Sequence, residues 1–145
     1  MRLVIQRVTG AELWADGVAC GAIANGLVVF VGVARHDQVS DANRMAAKLI
    51  ALRVFEDSEG KMNRSIQDCG GEILVVSNFT LYATTGKGNR PSFDEAARPE
   101  DAKPLYEHFV QQLRLSGPRL VTGVFQAHMR VLVDNDGPVT LLCES

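Results

Sequence analysis

The chain has only three cysteines in 145 residues, and Cys20, Cys69 and Cys143 are odd in number, far apart and in no CxxC pair. That excludes a disulfide framework and gives no zinc-site spacing. A reducing, cytoplasmic environment fits this usage. Long apolar runs are also missing. The longest, Gly26 to Ala34, is about half a bilayer span, and the opening Met1-Arg2-Leu3-Val4-Ile5-Gln6-Arg7 has no signal-peptide core. No membrane association is expected. Excess charge of one sign is lacking too, with 15 Lys and Arg against 17 Asp and Glu. A net charge of −2 argues against a broadly basic nucleic-acid binder, so a polyanionic partner must be held by a local patch. His36, His108 and His128 share no metal-ligand spacing, and neither a metal nor a cofactor is expected.

What is present is ordinary for a globular protein: 46% hydrophobic and 22% charged residues. The length predicts one domain over 1–145, and surface scaling gives it a folded area of about 7,300 Å², enough to bury a core without staples.

Leu3, Ile5 and Val8 alternate with polar residues as in a half-buried strand. Glu12 to Ala15, with Asp16-Gly17 behind it, reads as a strand entering a tight hairpin, and the return strand runs near Val18 to Ile23. Asn25-Gly26 gives a second hairpin signal. The run Leu27-Val28-Val29-Phe30-Val31 after it is of the kind buried on both faces. Ser40 is a plausible N-cap for an amphipathic helix carrying Ala42, Met45, Ala46, Leu49 and Ile50. Val54-Phe55 and Lys61-Met62 flank a polar loop as a short hairpin. Ile73 to Val76 is another buried strand, and it leads directly into Ser77-Asn78-Phe79-Thr80-Leu81.

Thr84 to Pro99, rich in Gly, Pro, Ser and charge, predicts a long surface loop of the functional or mobile kind. Ala102, Leu105, Phe109 and Leu113 mark a second amphipathic helix, in which Pro104 is tolerable in the first turn and which Gly117-Pro118 stops. Strands near Leu120 to Phe125, Met129 to Val133 and Val139 to Cys143 complete the chain, with Asn135-Asp136-Gly137-Pro138 as a turn between the last two. The fold class expected is α+β: a mostly antiparallel, barrel-like β-sheet with two packed amphipathic helices.

Ser77 and Thr80 follow a buried strand where backbone donors become free. Positions i and i+3 of a strand face opposite ways, so the two hydroxyls can line one site only if the chain turns there, which would also aim the Phe79 amide inward. Alternatively they satisfy strand-end backbone groups. Gly137-Pro138 is first a turn, and second a place for a cis bond that reorients successive carbonyls. Arg35, Lys61, Arg64, Lys87 and Arg90 fall mostly in loops and alone support no phosphate site.

Five strings in register change the weighting: Ile5-Gln6-Arg7-Val8, Glu59-Gly60-Lys61-Met62-Asn63, Ser77 to Leu81, Arg90-Pro91-Ser92-Phe93 and Asn135 to Thr140. Through them the chain resembles the D-aminoacyl-tRNA deacylases from end to end. Ser77 to Leu81 and Gly137 to Thr140 correspond to that family's two signature motifs, with Asn78 where the family usually has Gln.

The resemblance implies a homodimeric hydrolase with sites at the subunit interface, which cleaves the ester between a D-amino acid and the 3′-terminal ribose of tRNA. It places the Phe79 amide as oxyanion donor, with Thr80 and Ser77 shaping the site and Thr80 held in reserve as nucleophile. It implies a cis Gly137-Pro138 that enters the partner subunit's site as the chiral filter. It sets Asn78, Arg7, Phe125 and Met129 around the pocket and dimer contact. A filter that excludes a side chain passes glycine, so glycyl-tRNA is an expected substrate as well. Phosphate contacts are expected from Lys61, Arg64, Lys87 and Arg90. Two rival readings stand beside this one: a relaxed-chirality relative that deacylates L-alanyl-tRNA, and a DNA-associated binding protein. Relatives of the second kind carry a C-terminal extension, whereas this chain stops at Ser145, so no DNA partner is expected.

Overall fold

The structure, a computed structural model, describes residues 1–86 and 88–145. Its spine is β1, Arg2–Ala15, a single 14-residue strand that includes the stretch between the two shorter strands read from the sequence. Asp16 and Gly17 both adopt positive φ (49° and 82°), giving the tight turn expected, and β2, Val18–Ile23, returns along the second half of β1.

The second hairpin signal is not a hairpin. After Ala24 and Asn25 the strand β3, Gly26–Gly32, continues in the same direction and pairs with the first half of β1, so β2 and β3 together form one interrupted return strand. The glycine serves a different purpose: a Cβ on Gly26 would overlap the carbonyl oxygen of Glu72, whose strand passes directly alongside.

Helix α1, Val39–Ala51, buries Ala42, Met45, Ala46, Leu49 and Ile50, the five residues its periodicity selects. Its cap is Gln38 rather than Ser40. The Asp41 carboxylate accepts the Gln38 N–H at 2.9 Å, which fixes the helix start two residues earlier. A small ribbon of β4, Phe55–Glu56, and β5, Met62–Arg64, matches the short hairpin expected. The one-turn helix α2, Ile66–Cys69, was not visible as a helical period and is held by Ser65 and Asp68 capping each other.

Strand β6, Glu72–Ser77, pairs parallel with β3, and β7, Leu120–Thr122, pairs parallel with β6. The sheet is therefore mixed, antiparallel around β1 and parallel beyond β3. Helix α3, Pro99–Leu115, buries Ala102, Tyr106, Phe109, Val110 and Leu113 and carries Pro104 near its start. The longest strand is β8, Met129–Glu144, which pairs antiparallel with β1 along nearly all of both strands.

Here the sequence reading needs correction. Asn135-Asp136-Gly137-Pro138 is not a turn between two strands but a bulge inside one. Between the pairs Val8–Asn135 and Gln6–Thr140, five steps of β8 face two of β1. Asn135 Nδ2 closes the base of the bulge by donating to Arg7 O at 2.9 Å and Val139 O at 3.0 Å. The turn-forming residues take up extra length without reversing the chain.

Alternate residues of β3 and β6 feed two apolar clusters. Leu27, Val29 and Val31, with Ile73 and Val75, pack with the helices, while Val28, Leu74 and Val76 join Val8, Ala11, Leu13, Ile23 and Val121 on the other side of the sheet. This two-sided burial is why both strands read as unbroken apolar runs.

Candidate active site

The chain leaves β6 at Ser77 and turns immediately. Asn78 N–H still donates to Val31 O at 2.8 Å, and Phe79–Tyr82 then form a 3-10 turn capped by the Asn78 side chain. Asn78 Oδ1 accepts the Thr80 N–H at 3.2 Å and the Thr80 hydroxyl at 2.5 Å. The chain thus turns at the point where Ser77 and Thr80 could share one site only through a turn. The Phe79 amide, first in the turn, donates to no protein acceptor among the described residues.

Beside this turn lies a cavity of about 900 Å³. It opens where the two apolar clusters meet, with Phe30, Val76 and Met129 on one side and Val33, Tyr106 and Phe125 on the other. Ser77, Asn78 and Phe79 form one wall, and the Phe79 and Phe93 rings meet edge-on at 5.0 Å. Of the residues singled out in the sequence, Ser77, Asn78, Phe79, Phe125 and Met129 line this space. Thr80 is exposed just beyond the lining.

Gly137, Pro138 and Arg7 lie outside the cavity of their own chain. The Gly137–Pro138 bond is cis and both residues are exposed. Gly137 has φ +116°, and a Cβ there would press on Val139 Cγ2 and Arg7 Nη2, so the site accepts only glycine comfortably. Arg7 is buried, donates from Nη1 to Val54 O at 2.8 Å and places Nε 2.9 Å from Asp136 Oδ2. That Nε–H is not aimed along the line to the carboxylate, so the contact is an ion pair rather than a hydrogen bond. Arg7 therefore holds the bulge from beneath.

Among the described residues, the titratable groups lining the cavity are Arg35, Asp94, Arg98 and Tyr106, and none of the histidines or cysteines lines it. Burial pushes the Tyr106 hydroxyl well above its ordinary range, and its best partner is Val75 O at 3.4 Å. Outside the lining, Tyr82 is pushed up to about 12, first by burial and then by the Asp37 charge. Both phenols stay neutral at physiological pH. Asp94 accepts the Ser92 hydroxyl at 2.6 Å. Among the described residues no group of three or more His, Cys, Asp or Glu is placed to hold a metal ion, and no helix is long and apolar enough to cross a membrane.

The basic residues expected at phosphates are placed elsewhere. Lys61 pairs with Glu59 at 2.7 Å, Arg64 donates to Asp68 O, and neither they nor Arg90 line the cavity. Lys87 lies outside the described residues. Sequence reasoning passed over Tyr106 and Arg98, which reach the cavity from α3 and the residue before it. Tyr106 lies on the buried face of an amphipathic helix, and that periodicity was its only signal.

Comparison with known proteins now bears on this geometry. The D-aminoacyl-tRNA deacylase of Symbiobacterium thermophilum is 53% identical over 145 residues, covering all of this chain and 96% of that protein. That of Thermotoga petrophila is 52% identical, covering all of this chain and 97% of the relative. Among solved structures, one titled c-Myc DNA Unwinding Element Binding Protein superposes with a TM-score of 0.94 at 41% identity, over all of this chain and 99% of that one. A second, described as a probable eukaryotic D-amino acid tRNA deacylase, has a TM-score of 0.86 at 16% identity over 98% of this chain and 97% of its own, a likeness of fold. The model of the family described as D-Tyr-tRNA(Tyr) deacylase matches residues 4–144, and the chain belongs to that family.

Proposed function

We propose that the chain hydrolyses the ester of D-aminoacyl-tRNA at the Ser77–Phe79 wall of the cavity, releasing a D-amino acid and tRNA. The observation that supports this reading is that the Phe79 N–H, beside Ser77 on the cavity wall, has no protein acceptor among the described residues and so is free to donate to the oxyanion that develops as the ester carbonyl is attacked. One such donor contributes typically about 3–4 kcal/mol to the transition state. The ester is already reactive, so orientation and this donor suffice where no histidine lines the site. The substrate's own 2′-hydroxyl is well suited to help activate the attacking water.

Selection against L substrates falls to Gly137 and Pro138, which project from the outside of their own subunit. In a homodimer they enter the partner's cavity, where backbone carbonyls hold the α-amino group and leave no room for an L side chain. Exposed Leu132 and Leu142 on β8 fit such a subunit contact. So does an accessible surface of 8032 Å², above the roughly 7,300 Å² expected for this mass. Glycyl-tRNA, with no side chain to exclude, is also a substrate.

The test is a parallel assay of D-, L- and glycyl-aminoacyl-tRNA with enzyme well below substrate, alongside the mass of the protein in solution. Turnover of the D and glycyl esters by a dimer is expected. Equal turnover of an L-alanyl ester would replace the filter with a relaxed-chirality reading. The DNA-binding title of the 41%-identical structure favours one other reading. It requires duplex or melted DNA to bind while all three esters stay intact.

A further inference from the structure

We propose that Arg35 and Arg98 form an anion site at the mouth of the cavity that holds the phosphodiester on the 5′ side of the terminal nucleoside; this rests on the deacylase reading above. They are the only cations among the described residues that line the cavity. Both also line an adjoining recess of about 280 Å³, completed by Ala97 and Asp101. Neither guanidinium enters an ion pair among the described residues, whereas Arg2, Arg7, Arg44 and Arg119 all do.

The backbone sets the two arginines on one rim. Arg35 N–H donates to Glu95 O at 3.2 Å, Ala97 N–H donates to Val33 O at 2.9 Å, and Ala34 bridges Ala96. These bonds staple the chain after β3 to the segment that leads into α3. The opposing charges are Asp94 and Asp101. Asp94 is engaged by the Ser92 hydroxyl, and Asp101 sits in the first turn of α3, where the helix dipole favours it. With a phosphodiester in the recess, the two guanidinium groups face that anion and the Asp101 carboxylate.

The substrate's chemistry selects the ligand. An aminoacyl ester carries a cationic ammonium at the reacting end, so the anion closest to the ester is the phosphate of the same nucleotide. Guanidinium forks match phosphate oxygens in pairs, which a lysine ammonium does not. An arginine pair at the mouth of a largely apolar cavity thus reads the phosphate that separates an aminoacyl-RNA from an aminoacyl-nucleoside.

Two measurements test this. The first titrates an RNA oligonucleotide ending in CCA against the wild-type protein, Arg35→Gln, Arg98→Gln and the double variant, each first checked by thermal melting. Each single change is expected to weaken binding about tenfold, in line with loss of one charged hydrogen bond. The double variant should lower the log–log salt slope by about 0.7, the value for one single-strand phosphate. Arginine-to-lysine changes at both positions should restore the slope but only part of the affinity. The second compares kcat/KM for D-aminoacyl-tRNA and for 3′-D-aminoacyl-adenosine, which lacks the phosphate. The wild-type preference for the tRNA should shrink at least tenfold in the double variant. An unchanged salt slope, or equal losses on both substrates, overturns the anion site. Binding that depends on the arginines without turnover of either ester leaves the anion site standing and sinks the deacylase reading. Turnover without arginine dependence does the reverse.

Discussion

Arg7 Nε stands 2.9 Å from Asp136 Oδ2, one residue before the cis Gly137–Pro138 bond. A buried guanidinium on β1 thus lies under the exposed dipeptide that the proposed function assigns to chiral selection. The Asn135 amide, which donates to Arg7 O, ties the other side of the same bulge.

Arg7→Ala should therefore weaken both stability and selectivity. It strips the Val54 carbonyl of its donor and leaves Asp136 without its cation; because that carboxylate is half exposed, the cost is about 2 kcal/mol rather than the full value of a buried pair. A lower melting midpoint with a smaller D-over-L ratio in deacylation is the expected pair of results. A midpoint equal to the wild type would show that Arg7 is dispensable for the bulge.

Thr80→Ala should slow deacylation about tenfold to a hundredfold with the fold intact, because the residue is exposed and serves the turn rather than the core. Single-turnover kinetics read this directly, and an unaltered rate removes Thr80 from the mechanism.

Asn78→Gln examines the departure from the family's usual residue. Asn78 is short enough to cap its own 3-10 turn and take the Thr80 hydroxyl on the same oxygen. One added methylene should release that hydroxyl, cost up to about 1 kcal/mol of capping, and raise kcat/KM a few-fold. Identical kinetics would mark the two side chains as equivalent here.

Gly26→Ala should be severely destabilising, by about 3 kcal/mol, because the new methyl meets the Glu72 backbone rather than a yielding side chain. Chemical denaturation would settle it; a variant as stable as the wild type would mean that β3 and β6 can separate locally.

Glu72 gives a pH signature. Its carboxyl is held below the ordinary value of 4.5, first by the Ala24 N–H and then by Arg119. A group whose folded pKa is depressed contributes stability in full above its unfolded pKa and loses it as the pH falls through the folded value. Glu72→Gln should accordingly lower the melting midpoint at neutral pH, with the two curves converging in acid. Parallel curves across that range would contradict the assignment.

Periodicity made α1 and α3 legible because each buries one stripe, and β3 and β6 because each is buried on both faces. The Asn25-Gly26 and Asn135 to Pro138 signals were legible as breaks but not as kinds of break. Turn-forming residues absorb an interruption or a bulge as readily as a reversal, and only the pairing with β1 decides. At Ser77 to Thr80 the spacing left two readings open, a turn or the satisfaction of strand-end backbone groups, and the chain turns there. Of the cavity's remaining walls, Tyr106 was legible only as part of the buried stripe of α3, and Arg35 and Arg98 come from irregular segments with no period.

The pairing of β8 with β1 also governs when the molecule comes into being. The ladder runs from Arg2–Glu144 to Ala15–Met129, so even its shortest loop spans most of the chain. Contacts of such sequence separation form late and slowly. A ribosome-bound chain that has not yet released residues 129–144 has neither its central ladder nor its Gly137-Pro138 projection. The central ladder and the bulge that presents Gly137-Pro138 are therefore completed by the same late segment.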